Sequence, residues 1–240
     1  MKHIISNDGR ILTPPKELAS LLGNAFSAFF KLLGHIRFFY VADEIWNGED
    51  TLVFNACGER LAVITLYDRA FGINIAGEEI RVVGETLLDS VCAALKKSAH
   101  DSQRRPAEQL AVDLDEYPNG IRCDLCLLHK SNNLNDFEGN RKFPVMDRHC
   151  YYGVKDGWGE TEFSTWTCDG KEGCYEKTLS CLAKTGHKNC LECGEYRTCG
   201  DCGVGHNPGE CNLGITAEEV TSLIIPYCEV ERLDLLRDSE

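Results

Sequence analysis

From Leu18 onward the apolar positions fall at helical spacing: Leu18, Leu21, Leu22, Ala25, Phe26, Phe29 and Phe30. Thr13-Pro14 just ahead reads as a helix start, with Thr13 as N-cap and Pro14 at the first helical position. Gly34 is the predicted stop. After a polar loop around Trp46 the period shortens to two. Four β-type runs follow, over 51–55, 60–67, 70–75 and 79–83, with turn residues Gly58, Asp68 and Gly77 between them. Phe71, Ile73 and Ile75 alternate as a half-buried strand does. A second helix is predicted over about 85–97, with Leu87, Leu88, Val91, Cys92 and Leu95 on one face, and 109–114 could add a strand. The expected N-terminal architecture is therefore α+β: a helix plus an antiparallel four-stranded sheet.

The periodic pattern breaks at Tyr117-Pro118-Asn119-Gly120, which divides the chain into predicted domains 1–118 and 119–240. Between Lys130 and Leu213 there are few aliphatic residues, and Gly, Asn, Asp and Cys dominate. Regular structure resumes only at Thr216-Ala217-Glu218-Glu219, a capping box opening a short C-terminal helix that Pro226 ends. Composition sharpens this division. Of the 14 cysteines in 240 residues, only Cys57 and Cys92 precede residue 120. The other 12 include three Cys-x-x-Cys pairs, Cys123/Cys126, Cys190/Cys193 and Cys199/Cys202, with His129, His149, His187 and His206 interspersed. Two of the pairs are followed by glycine, at Gly194 and Gly203, in the manner of zinc knuckles. The expected second domain is thus irregular, Cys-rich and stapled by metal.

On that reading the metal ligands are Cys123, Cys126, Cys168, Cys174, Cys181, Cys190, Cys193, Cys199, Cys202, Cys211 and His206. Two or three tetrahedral zinc ions would suit this ligand count, with an iron–sulfur cluster as the alternative. The module would then serve as a structural or interaction scaffold beside an α+β domain able to take a small ligand. A thiol- or metal-dependent redox or enzymatic protein is the rival reading, and no residue pattern names a reaction. Cys92, on an apolar helix face, reads as a core thiol, and Cys57 lies beside a turn glycine.

Charge narrows the partners. The formal net charge is −13, which counts against a nucleic-acid backbone and leaves a protein or small molecule. Four thiolates around zinc would add further negative charge. The N-terminal residues form no secretory apolar region. The most apolar stretch, 18–42, is interrupted by Lys31, His35 and Arg37, as befits a buried helix and not a membrane span. A cytoplasmic location is expected, where thiols stay reduced.

Four stretches stand out together: Arg122-Cys123-Asp124-Leu125-Cys126, Cys168-Asp169-Gly170, the block from Cys181 to Cys199, and Ile225-Pro226-Tyr227-Cys228. On these residues the sequence over 121–235 resembles the Cys-rich family known as domain of unknown function 3795. It departs in the wider gap between Cys168 and Cys174 and in the additional Cys202, His206 and Cys211. The family implies metal binding and carries no established activity. The N-terminal half is weakly similar to helix-plus-meander domains such as domain of unknown function 3788.

Overall fold

Apolar spacing from Leu18 does produce helix, in two pieces. Helix α1 spans Pro15–Leu22, a 3-10 turn covers Gly23–Ala25, and α2 continues over Phe26–Phe39. The structure is a computed structural model and describes residues 4–5, 11–12, 15–48, 50–126, 176–199 and 213–239. The Thr13-Pro14 helix start lies outside them. Gly34 does not stop the helix. It is buried mid-helix, and the chain leaves the helix only at Tyr40, which is extended at φ −125° and ψ 153°. A mid-helix glycine costs about 1 kcal/mol. Burial of Leu32, Leu33, Ile36 and Phe38, each 1% exposed or less, outweighs it.

Helix α2 ends on an arginine. Buried Arg105 donates from Nε to the Phe38 carbonyl at 3.1 Å and from Nη2 to the carbonyls of Arg37 and Tyr40 at 3.0 and 3.1 Å. These are carbonyls that a helix terminus leaves without intrahelical partners, and the cation also suits the negative end of the dipole. Residues around Arg105 are held there by backbone pairing, Val41 N–H to the Gln103 carbonyl and Arg105 N–H to the Phe39 carbonyl.

A minor ribbon pairs β1 (Ile4–Ile5) with β2 (Ile11–Leu12). The main sheet has five antiparallel strands in sequence order: β3 (Asp43–Asn47), β4 (Thr51–Ala56), β5 (Glu59–Tyr67), β6 (Ala70–Ile75) and β7 (Glu78–Val82). The predicted four-stranded sheet is therefore corrected to five. The fifth strand, β3, has the sequence Asp-Glu-Ile-Trp-Asn, whose polarity predicts a loop. Its polarity misleads because Glu44 faces inward, where Arg37 neutralises it. Arg37 Nε and Nη2 reach the two Glu44 carboxylate oxygens at 2.5 and 2.9 Å, and both side chains are 1% exposed.

Register then sorts the two faces. Trp46, Leu52, Ile64, Ile73 and Ile80 stand opposite one another on successive strands, in the core formed with α1, α2 and α3 (Leu88–Ser98). The next row, Ile45, Val53, Val63, Asn74 and Glu79, lies on the other face.

The chain forms two compact units, Met1–Arg105 with Gly209–Glu218, and Pro106–Pro208 with Glu219–Glu240. In the second, the expected strand at 109–114 is replaced by a helical turn, α4 (Ala107–Leu110). Helices α5 (Glu176–Thr185) and α6 (Cys190–Cys193) follow, α7 (Ala217–Glu219) begins in the first unit and ends in the second, and α8 (Glu229–Arg237) closes the second unit. A π-turn over Val220–Ile224 and a 3-10 turn over Ile225–Tyr227 connect the last two. Buried Leu182, Cys190, Tyr196 and Leu233 pack together, with Leu114, Cys181, Leu191, Cys199 and Val230 against them. Arg232, fully buried, donates to four backbone carbonyls: Gly120, Gln109, Ile225 and Pro226. The expected irregular, metal-stapled domain is corrected here. Its described part is helical, with a packed core and a buried arginine joining its segments. Among the described residues no group of three or more His, Cys, Asp or Glu could hold a metal ion.

Candidate functional site

Cysteines are where the sequence places its chemistry. Cys123 opens a 3-10 turn over Cys123–Leu125 and Cys126 closes it; both are buried. The Cys126 Sγ sits 3.0 Å from the Tyr227 hydroxyl. Neighbouring Cys228, fully buried, donates to the Ile224 carbonyl at 3.4 Å. Arg122 fixes the turn from outside, pairing with Asp124 at 2.6 Å and donating to the Glu108 and Ala111 carbonyls. Its charge holds the Asp124 carboxyl below the usual range, against the opposing effect of burial.

Cys190 and Cys193 lie in a short helix. They begin and end one helical turn, α6, capped by Asn189, whose side chain accepts from Glu192 N–H at 3.1 Å. Glu192 returns a bond, accepting from Lys188 N–H at 2.8 Å. Gly194 closes the turn in the left-handed region at φ 69°. A Cys-x-x-Cys-Gly sequence satisfies a helical turn with a glycine stop as well as it satisfies a knuckle. The spacing that turns both thiolates toward one ion is here a helix spacing, and Cys190 is buried while Cys193 is half-buried. Cys181, Cys190 and Cys199 meet as packing partners around Leu182 and Tyr196. Cysteine behaves there as a small hydrophobe. Cys168, Cys174, Cys202, Cys211 and His206 lie outside the described residues. The zinc assignment, and the iron–sulfur alternative with it, is overturned on the described residues, which contain no metal-holding group.

Of the two N-terminal thiols, Cys92 is half-buried against the main core, and burial pushes its thiol up to about 11. It stays protonated at neutral pH. Cys57 is exposed, at φ 53°, and donates to the Ser102 carbonyl at 3.0 Å.

Three features the sequence reading missed lie in the α+β unit. His35 packs at a tilt against Phe39 with ring centroids 4.6 Å apart, its Nε2 has no hydrogen-bond partner, and burial lowers the imidazole to about 4. A second feature is the solvent face of the sheet. Ile45, Val53 and Val63 make an aliphatic row across β3, β4 and β5, in which Ile45 is 48% exposed, Val63 half-buried and Val53 buried at 8%. The row continues to Asn74 and Glu79. Tyr67 crosses the bare backbone at Gly72 to donate to Glu79 at 3.0 Å, and Arg81 lies over its ring at 5.3 Å. A Cβ at Gly72 would collide with that carboxylate and reach within 3.0 Å of the Tyr67 ring. The third is the outer edge of β3. Glu44 N–H donates to the Ile215 carbonyl at 2.9 Å, Gly214 N–H to Glu44 Oε2 at 3.2 Å, and Ala217 N–H to Asp43 Oδ1 at 2.8 Å. Sequence could have hinted at the first through a histidine in an otherwise apolar helical stretch and at the second through an acid in an otherwise strand-like run. Nothing in it connects residues 170 apart.

No protein-family model, curated protein or solved structure matches the chain. Among the described residues no helix is long and apolar enough to cross a membrane.

Proposed function

We propose that this protein works in the cytoplasm by binding a protein partner on the solvent face of the β3–β7 sheet. The observation that supports this is the in-register stripe Ile45–Val53–Val63 on the face turned away from the helical core. Aliphatic side chains in register across three strands offer a flat contact surface. Acidic groups share that face at Asp43 and Glu79, and the chain carries a formal net charge of −13. The matching partner surface has an aliphatic centre and a basic rim, and its association should weaken as salt rises. Every described cysteine carries a thiol, which suits a reducing compartment. The resemblance of residues 121–235 to domain of unknown function 3795 belongs to this proposal and brings no reaction with it.

A photo-crosslinking residue in place of Thr65 tests the reading in intact cells. The expected result is a discrete adduct that Ile45→Lys removes and the remote α3 substitution Lys97→Glu leaves in place. No adduct, or one indifferent to Ile45→Lys, would overturn it.

A further inference from the structure

Strand β7 ends the main sheet, and among the described residues its only strand neighbour is β6. The two are joined by the two-residue turn Ala76-Gly77, with φ of 52° and 91°. Such a turn makes Ile75 and Glu78 a pair that exchanges both main-chain hydrogen bonds. Alternation fixes the rest. Glu78, Ile80 and Val82 turn their peptide groups toward β6, and Glu79 and Arg81 turn theirs outward. Among the described residues no main-chain hydrogen bond from outside the sheet meets that outer row. The Glu79 and Arg81 side chains are exposed on the solvent face, where Tyr67 donates to the first and carries the second over its ring. Val83 and Leu87, just beyond the strand, are 56% and 36% exposed.

An outer strand is a template for a further strand, and charges along it ordinarily discourage the pairing. Here the order of the charges singles out one partner. When β7 meets a second β7 antiparallel about a two-fold axis at Ile80, Glu79 of each copy stands opposite Arg81 of the other. The same two residues carry the outward peptide groups, so main-chain pairing and charge pairing coincide. Moving the axis by one residue instead opposes Glu79 to Glu79 or Arg81 to Arg81, which is unfavourable. In the Ile80 register Val83 also lies across from Gly77, whose Cβ position is open space. We propose that β7 is a homotypic interface, through which two copies of this chain join their sheets edge to edge. An interface built on one short strand is small, and the association is weak and reversible. It uses none of Ile45, Val53 or Val63, so this inference and the proposed partner face can fail separately.

Sedimentation velocity on the full chain, from about 5 to about 500 µM, should show monomer passing reversibly to dimer. Glu79→Lys sets like charges opposite one another and should weaken the dimer roughly tenfold, as should Arg81→Glu. Mixed together, the two single variants should form a one-to-one heterodimer, because a basic edge then faces an acidic one. The double variant Glu79→Lys with Arg81→Glu should dimerise with itself as the unaltered chain does. Absence of a dimer at the highest concentration overturns the inference. So does a dimer that the single charge reversals leave intact, whether or not Ile45→Lys removes it. If a variant does not fold, amide exchange on the unaltered chain decides. The Glu79 and Arg81 amides should exchange several-fold more slowly at the highest concentration than at the lowest, and rates independent of concentration overturn the inference.

Discussion

Glu44 shows how a single residue can hide a strand. A carboxylate among Asp43, Trp46 and Asn47 looks like loop composition, yet it is buried because Arg37 offers a two-pronged partner. Burying two charges is expensive, and pairing them recovers much of that cost only while both are present. Glu44→Ala should therefore destabilise the α+β unit by about 3–5 kcal/mol, since it leaves the Arg37 guanidinium buried without its counter-ion. Replacing both, Arg37→Met with Glu44→Leu, should cost far less. Urea denaturation of the single and double variants separates the outcomes; equal losses would mean the pair is not coupled. Gly72 is a second case. Any side chain there displaces Tyr67 from Glu79, and Gly72→Val should break that hydrogen bond, seen as loss of the raised Tyr67 phenol ionisation in a pH titration.

At the scale of the element, what was legible was periodicity and what was not was the meaning of cysteine. The strand runs near 51–56, 59–67, 70–75 and 78–82 follow alternation that core burial enforces, so they could be read directly. Helix α2 outran its predicted stop because tertiary burial and the Arg105 cap stabilise it past Gly34. The Cys190–Cys193 turn could not be read, since two different structures share its sequence pattern. The helical reading is testable at its cap: Asn189→Ala removes the acceptor for Glu192 N–H and should cost about 1 kcal/mol. Gly194→Ala, forced to remain at φ 69°, should cost about as much. Thermal melts of both variants check this. Unchanged melting temperatures would argue that the turn contributes nothing to the unit.

For the whole molecule, the two units should answer pH in opposite directions. His35 is held neutral by burial down to about 4, against an ordinary value of 6.5. Between those values the unfolded chain takes up the proton and the folded unit does not. The α+β unit should therefore lose stability as pH falls from about 6.5 to about 4, by on the order of 3 kcal/mol. Glu231 is the reverse case. Burial raises it from 4.5 to about 7, its Oε2 has no hydrogen-bond partner, and the folded unit keeps a proton the unfolded chain has shed. The Cys-rich unit should lose a similar amount as pH rises from about 4.5 to about 7. Methyl resonances of Ile64 and Leu233, followed through urea titrations at pH 5 and pH 7, should show midpoints shifting oppositely. His35→Phe should flatten the first response and Glu231→Gln the second.

Leu213 gives the fold a timing as well as a geometry. The core of the α+β unit is completed by a residue that follows Arg105 by more than a hundred positions. During synthesis at about 5–20 residues per second, the helices and the five-stranded sheet wait roughly 5–20 s for that last piece. Folding from the N-terminus onward therefore cannot finish before most of the Cys-rich segment has been made. A nascent chain arrested before Leu213 should display an unfinished core that binds a hydrophobic dye, and one arrested well past Glu218 should not. The cysteines, all made within that interval except Cys57, Cys92 and Cys228, are thus synthesised while their neighbour is still open.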